Sequence, residues 1–237
     1  MPSHLVKLAG REQIAEGTFA FHLEKAPGFA FKAGQAVVLE LLDPPPQDGQ
    51  KRRTFSLASA PSDSDLMIAT RMRDSPFKRA LQALPDGAAL KLTGPIGRFT
   101  LAGDRSALFI AGGIGITPFL SMLRQAASEC SSQRLVLVYS NRRPEDAAFL
   151  DELQALERRH GNFRLFATMT GMDDSSRAWH GDTGMVNAQL IRRAASELEA
   201  PVFYVVGPPA MAMAMQETLR GAGVVDAVIR SEEFYGY

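Results

Sequence analysis

Four short stretches of this sequence carry residue types suited to holding phosphates and flat rings. Ala111-Gly112-Gly113-Ile114-Gly115-Ile116-Thr117-Pro118 follows an apolar run and opens a helical pattern. Glycines let a phosphate approach the backbone, and the N–H groups and dipole of a helix start attract its charge. Thr117 is placed to cap that helix, with Pro118 at its first position. The pattern is G-x-G-x-x-P and departs from the dinucleotide fingerprint G-x-G-x-x-G. It suits a nucleotide loop and a ligand-free strand–helix turn equally. Val205-Val206-Gly207-Pro208-Pro209-Ala210-Met211 repeats the strand–loop–helix logic further on. In doubly wound sheets ligands lie at the carboxyl ends of strands, so two such loops can flank one crevice.

The third stretch is Arg53-Thr54-Phe55-Ser56-Leu57, in a strand-like run where alternation sends Arg53 and Phe55 to one face and Thr54 and Ser56 to the other. A strand presenting a cation, an aromatic ring and a hydroxyl suits a ligand with a phosphate, a flat ring and a ring nitrogen. It suits ordinary packing as well. The fourth is Ser75-Pro76, an N-cap and first helical position that add a second anion-binding feature. No His, Tyr–Lys or metal constellation offers a substrate acid or base. His4, His22, His160, His180 and Cys130 show no ligand spacing and read as structural or surface residues. A single cysteine excludes an internal disulfide, an all-cysteine iron–sulfur cluster and a four-cysteine zinc site built from this chain alone. Redox chemistry is still open to the chain, but an organic cofactor would have to carry it.

The elements that must position these residues change character near residue 103. Before it come short alternating runs: Thr18–Leu23, Ala36–Leu41, Arg53–Leu57, Leu66–Met72 and Ala88–Thr93. Turn signals separate them at Ala33-Gly34, Asp43-Pro44-Pro45-Pro46, Ala60-Pro61-Ser62-Asp63 and Pro85-Asp86-Gly87. That rhythm predicts an antiparallel barrel or sandwich, interrupted by one helix over Pro76–Leu84. After residue 103, apolar runs at Leu108–Ala111, Leu135–Tyr139, Phe163–Thr168 and Val202–Val206 lack clean alternation, as strands buried on both faces do. Helical spacing fills Pro118–Ala127, Ala147–His160, Asn187–Ala195 and Met211–Arg220. The expected architecture is two domains: an antiparallel β-barrel over residues 1–102, then an α/β doubly wound parallel sheet over residues 103–237.

Composition sets the remaining bounds. The 237 residues are 46% apolar and 22% charged, which argues against wholesale disorder. Equal numbers of cations and anions, 26 each, argue against nucleic acid as the main partner. Residues 1–103 hold 13 Lys and Arg against 10 Asp and Glu, and residues 104–237 hold 13 against 16. The surplus of three suits either a solvated surface or the docking of an acidic protein. Two uncharged stretches, Ser106–Leu123 and Ala200–Gln216, are interrupted by glycine and proline and do not read as membrane spans. The start, Met-Pro-Ser-His-Leu-Val-Lys, lacks an apolar run of signal-peptide length, so the expected location is cytoplasmic.

Taken in order and spacing, Arg53-Thr54-Phe55-Ser56, Gly112-Gly113-Ile114-Gly115-Ile116-Thr117-Pro118 and Gly207-Pro208-Pro209-Ala210-Met211 resemble the ferredoxin–NADP reductase superfamily. Phe31-x-x-Gly34-Gln35 and Gly94-Pro95-Ile96-Gly97-x-Phe99 look like its barrel signatures. The ending Glu232-Glu233-Phe234-Tyr235-Gly236-Tyr237 is similar to its acidic–aromatic C-terminal segment. The resemblance implies a flavin-binding barrel followed by a pyridine-nucleotide domain, with FAD favoured over FMN and NADH or NADPH as hydride donor. It implies that Arg53 holds the flavin phosphate, that Phe55 packs against the isoalloxazine, and that Ser56 hydrogen-bonds near N5. It sets Thr54, Arg71, Ser75, Pro76 and Phe77 in the same site, the Ser75 helix start on the pyrophosphate. Gly113, Gly115, Thr117, Ser140, Arg142, Arg143, Gly207, Pro208 and Met211 would meet the nicotinamide nucleotide. Phe234 would cover the flavin and yield to nicotinamide, and Ser56, Phe234 and Glu233 would be the catalytic residues.

Two departures stand out. Many members of that family have Cys immediately before the Gly-Pro-Pro, where this chain has Val206. A thiol there could assist hydride transfer, so its absence predicts slower or differently tuned chemistry. Reductases that feed oxygenases often carry a fused iron–sulfur domain, for which this chain has neither the length nor the cysteines. The resemblance therefore implies a stand-alone reductase passing electrons from NAD(P)H through FAD to a one-electron, acidic protein acceptor such as ferredoxin or flavodoxin. Small acceptors (free flavin, ferric complexes, quinones) and a non-catalytic electron-transfer subunit are the alternatives. Arg142 and Arg143 could pair with a 2′-phosphate or belong to a solvated loop ahead of Pro144-Glu145-Asp146, so NADH and NADPH are not separated.

Overall fold

Alternation of apolar and polar residues builds the first hundred residues into strands. The structure, a computed structural model, describes residues 1–42 and 50–235. The expected turn at Asp43–Pro46 and the last two residues of the acidic–aromatic ending lie outside the described residues. Six strands form the first sheet: β1 (Ser3–Ala15), β2 (Thr18–Glu24), β3 (Ala36–Leu41), β4 (Arg52–Ser56), β5 (Asp65–Arg71) and, after helix α1 (Pro76–Ala83), β6 (Ala89–Ile96). Their order is β4-β3-β6-β1-β2-β5, antiparallel throughout. The outermost members are linked by an antiparallel bridge between Leu57 and Ile68, which closes the sheet on itself. Leu8, Phe21, Leu23, Leu39, Leu57 and Ile68 fill its interior. An eight-residue helix is marginal alone. Phe77 and Leu81 are four apart on one face of α1, and both are fully buried in that core.

The second sheet is parallel. Its strands are β7 (Ala107–Gly112), β8 (Leu135–Asn141), β9 (Phe163–Met169), β10 (Asp182–Thr183), β11 (Val202–Gly207) and β12 (Ile229–Glu233), in the order β10-β9-β8-β7-β11-β12. The helices are α2 (Thr117–Ser128), α3 (Leu150–Arg159), α4 (Ala188–Ala195) and α5 (Pro209–Gly221). All six residues of β7 and of β11 are buried, which explains their unbroken apolar sequence. From β7 the chain moves one way to β8 and later returns to β11 on the other side, so the topological switch point lies between β7 and β11. No helix among the described residues is long and apolar enough to cross a membrane.

Contacts divide the chain into two units. The first is Met1–Thr100 together with Thr117–Gln125; the second is Leu101–Ile116 with most of the chain from Ala126 onward. Two details differ from the sequence reading. Helix α3 begins at Leu150 rather than Ala147, because Phe149 takes a left-handed φ of 60° and Pro144–Asp146 form a separate 3₁₀ turn. A 3₁₀ turn over Gly113–Ile116 runs directly into α2, so Thr117 is the first helical residue and not a cap outside the helix.

Candidate functional site

In the first unit, β4 and α1 bring the expected residues together. The Arg53 guanidinium lies 5.5 Å from the centre of the Phe77 ring, and the Phe55 ring is 6.0 Å from the same ring. Arg53 and Phe55 therefore share one face of β4, as strand alternation requires, while Ser56 is buried opposite Ala36. Ser75 caps α1 with extended backbone, its hydroxyl accepting a long bond (3.5 Å) from the Lys78 N–H. The Lys78 ammonium donates to the Arg71 carbonyl at 2.8 Å. Burial and the nearby cations Arg73 and Arg53 push the Lys78 pKa below its ordinary value. Like charges gathered beside a helix N-terminus repel one another, and an anion placed there relieves them. That electrostatics fits a phosphate. Lys78 was missed in the sequence, although it sits three residues after the capping serine.

The turns around β4 explain two of the sequence signatures. Gly34 has φ +93°, and a Cβ there would collide with the Phe99 carbonyl oxygen and the Met122 methyl. The Gln35 side chain accepts from the Lys32 N–H at 2.8 Å and donates to the Gly97 carbonyl at 3.0 Å. Phe31-x-x-Gly34-Gln35 and Gly94-Pro95-Ile96-Gly97-x-Phe99 are thus two halves of one knot.

In the second unit, the two glycine loops meet at the switch point. A Cβ on Gly112 would collide with Met211 Sδ and come 3.1 Å from Pro208 Cδ. One on Gly207 would stand 3.2 Å from Met211 Sδ and 3.4 Å from Gly112 Cα. The loops lie back to back, with Met211 wedged over both. Gly115 packs on the end of β11: an added Cβ would lie 2.6 Å from the Val206 carbonyl oxygen. Gly113 differs, because a Cβ there meets nothing within 4 Å, and its φ of +53° is what demands glycine. Of the loop glycines it is the one facing open space.

The C-terminal segment comes to the same end of the sheet. β12 pairs with β11, setting Glu232 beside Val206 and Glu233 beside Gly207, and the Phe234 N–H donates to the Gly207 carbonyl at 3.0 Å. Glu233 is exposed and receives a hydrogen bond from the Tyr235 hydroxyl. Glu232 is partly buried, and burial raises its pKa.

Past β8, the two arginines separate in role. Arg143 forms a two-pronged pair with Asp146, at 2.9 and 3.3 Å, and donates to the Asp174 carbonyl at 3.3 Å. Asp146 is only 2% exposed in its side chain, so Arg143 is committed to neutralising it. Arg142 is 68% exposed and stands 3.6 Å from the Asp174 carboxylate. Glu145 anchors the neighbouring loop: it accepts from the Ser175 and Ser176 hydroxyls and from the N–H groups of Ser176 and Arg177, at 2.7 to 3.1 Å. Burial opposes its charge, but its own N–H and the donors of Ser176 and Ser175 outweigh that and hold the carboxyl down at about 2. The i,i+3 spacing of Arg143 and Asp146 was a readable signal for this pair.

Comparison with known proteins decides the family. The chain is 35% identical over 210 residues to a ferredoxin–NADP reductase B of Sorangium cellulosum, an alignment covering 84% of this chain and 83% of that protein. The chain belongs to the ferredoxin–NADP reductase superfamily. Residues 109–217 match the oxidoreductase NAD-binding domain family. A glycine betaine monooxygenase reductase subunit of Pseudomonas aeruginosa is 30% identical over 92% of this chain, but the chain spans only 60% of that relative's length. Among solved structures, a ferredoxin–NADP reductase of Neisseria gonorrhoeae with bound FAD and NADP superposes with a TM-score of 0.81 at 21% identity, covering 98% of this chain and 99% of that one. The cytochrome b5 reductase domain of Ulva prolifera nitrate reductase gives 0.80 at 19%, covering 98% and 97%.

As a ferredoxin–NADP reductase superfamily member the chain is an NAD(P)H oxidoreductase and a flavoprotein, with FAD and NADH or NADPH as its cofactors. The residues present fit those groups. The cation cluster at Arg53, Arg73 and Lys78 suits a phosphate, and the half-buried Phe55 ring, backed by Phe77, supplies an apolar face. Gly113, with open space where a Cβ would stand, leaves backbone bare at the switch point of the sheet.

Proposed function

We propose that this protein is a reductase that draws electrons from NAD(P)H and delivers them singly to an acidic protein acceptor of the ferredoxin or flavodoxin kind. The flavin site falls in residues 1–102 and the nucleotide site in residues 103–237. The observation that carries the reading is the presence in one chain of both half-sites: Arg53, Phe55 and Phe77 beside a cationic helix start, and two abutting glycine loops at a parallel-sheet switch point. A bound flavin would supply the conversion of a two-electron hydride donor into single-electron delivery.

The protein's part is binding, orientation and proton handling. Arg53 and Lys78 hold phosphate charge, with the α1 N-terminus and Ser75 completing the anion site. Phe55 would lie along one side of the flat ring, and Ser56 would hydrogen-bond at its edge. Gly113 would give the nicotinamide room, the pair Gly112–Gly207 would shape the floor, and Phe234 is the aromatic that its N–H holds beside Gly207. Glu233, exposed beside Gly207 at the end of β11, is the carboxyl offered for proton handling. With Arg143 bound to Asp146, Arg142 is the side chain that would meet a 2′-phosphate.

For the acceptor, the support is charge. All six lysines of the chain lie between residues 7 and 91, and the first 103 residues carry a cationic surplus. Acceptor profiling tests it: ferredoxin and flavodoxin are compared with free flavin, ferric complexes and quinones at low and high salt. Fast reduction of an acidic protein, falling with salt, is the expected result. Preference for the small acceptors with no salt dependence would overturn it.

A further inference from the structure

In the second unit, the ends of β8 and β9 are tied together. The Thr170 N–H donates to the Asn141 carbonyl at 2.9 Å, and the Gly171 N–H to the Arg142 carbonyl at 2.8 Å. Arg142 Nε passes 3.7 Å from where a Gly171 Cβ would stand, so the side chain runs along the exit of β9. A 3₁₀ turn, Met172–Asp174, follows at once, and it is fixed from two sides. Arg143 holds the Asp174 carbonyl, and Glu145 holds Ser175, Ser176 and the Arg177 N–H just beyond it. With its backbone held, Asp174 sets its carboxylate 3.6 Å from the Arg142 guanidinium. No surplus of positive charge is left at this strand end. Arg143 is matched by Asp146, Arg177 lies 4.0 Å from Asp151, and Arg142 faces Asp174. The exposed Asp173 adds a further carboxylate, and Glu145 directs its charge onto neutral donors.

A dinucleotide whose nicotinamide half lies at the Gly113 turn of β7 brings its adenosine half to the end of a neighbouring strand. With β11 carrying the second glycine loop, β8 is the neighbour left for it. We propose that Asp174 is a specificity-determining residue that makes NADH the preferred hydride donor: held beside Arg142, its carboxylate accepts the adenosine 2′-hydroxyl and repels a 2′-phosphate. The inference rests on the nicotinamide-nucleotide reading above. A ribose 2′-hydroxyl donates a hydrogen bond that a carboxylate accepts, and it can accept one from Arg142 at the same time. A 2′-phosphate carries about 1.5 to 2 negative charges and needs the guanidinium for itself. Drawing Arg142 away leaves Asp174 unmatched beside both the phosphate and Asp173. Like charges set that close disfavour the phosphorylated nucleotide even where Arg142 reaches it.

The test uses the flavin-loaded protein and the variants Asp174→Asn and Asp174→Ala. Asp174 offers Arg143 its backbone carbonyl, and its side chain is 71% exposed, so both variants should keep the fold. Calorimetric titration with NAD+ and NADP+ gives the two affinities, and flavin reduction by NADH and NADPH gives KM for each. Expected for wild type is a preference for the unphosphorylated nucleotide of about tenfold at low salt, shrinking as salt is raised. In both variants that preference should fall about tenfold, chiefly through tighter NADP+ binding and a lower KM for NADPH. A wild-type preference for NADP+, or a ratio of affinities that neither variant moves, would overturn the proposal and leave the nucleotide site standing. Binding of neither nucleotide would overturn both, because the failure then lies in the nucleotide-site reading itself.

Discussion

Gly115 and Val206 meet backbone to backbone: a Cβ on Gly115 would lie 2.6 Å from the Val206 carbonyl oxygen and 2.9 Å from its carbon. The neighbour is main chain in a fully buried strand, so it cannot swing aside. The glycine loop of β7 is thereby pressed onto the end of β11, and the two glycine loops are one packed unit.

Gly115→Ala should therefore cost about 1–3 kcal/mol of stability, the usual penalty for forcing a methyl into a filled space. Thermal unfolding measures that loss. The KM for NAD(P)H should rise in the same variant, because the loops must part to admit the methyl, while flavin content stays at the wild-type level.

Arg53→Ala should weaken flavin retention by about 10- to 100-fold, the range expected for losing a charge-assisted bond to phosphate. Flavin remaining after extensive dialysis is the readout. Normal flavin content in this variant would contradict the role given to Arg53. Phe77 is fully buried, and losing the guanidinium 5.5 Å from its ring should cost the barrel no more than about 1 kcal/mol.

Glu145 holds its loop as a carboxylate, with a pKa of about 2 against an ordinary 4.5. A depressed folded-state pKa means the stabilisation is complete above pH 4.5 and is lost as pH falls toward 2. Glu145→Gln should lower the denaturation midpoint at pH 7, and the gap to wild type should narrow steadily below pH 4.5. A gap independent of pH would show that the charge is not what holds Ser175 and Ser176.

Glu232 behaves in the opposite sense, because burial raises its pKa. A raised folded-state pKa favours the fold below the ordinary carboxylate value, and that contribution is lost as pH rises through the raised value. Glu232→Gln should therefore be more stable than wild type at pH 8 and indistinguishable from it at pH 4.

Much of the fold was legible because it rests on periodicity. β3 matches its sequence range residue for residue, and the apolar runs at β7, β8, β9 and β11 lie within a residue or two of the observed strands. β1 was missed, since its second half, Gly10-Arg11-Glu12-Gln13, is polar and exposed and its pairing with β2 shifts register at Leu8/Gly10 and again at Gln13/Ala15. β12 was missed as well: Ile229–Glu233 is an edge strand with only partial burial and an acidic end. Burial divides Glu232 from Glu233, and burial depends on a partner strand that local sequence does not reveal. Likewise Arg142 and Arg143 are adjacent and chemically identical, and only the buried Asp146 tells them apart. The hold of Ser121 and Arg124 on Ala58 and Ser59 spans more than sixty positions and leaves no local pattern.

The central claim is that one chain binds a flavin and passes it a hydride from a nicotinamide nucleotide. The most direct measurement is the visible absorption spectrum of the purified protein, recorded without oxygen before and after stoichiometric NADH or NADPH. The account predicts a yellow protein with one FAD per chain that bleaches with at least one of the two nucleotides. A colourless protein that takes up no flavin when FAD is supplied, or a flavin that neither nucleotide bleaches, would contradict it.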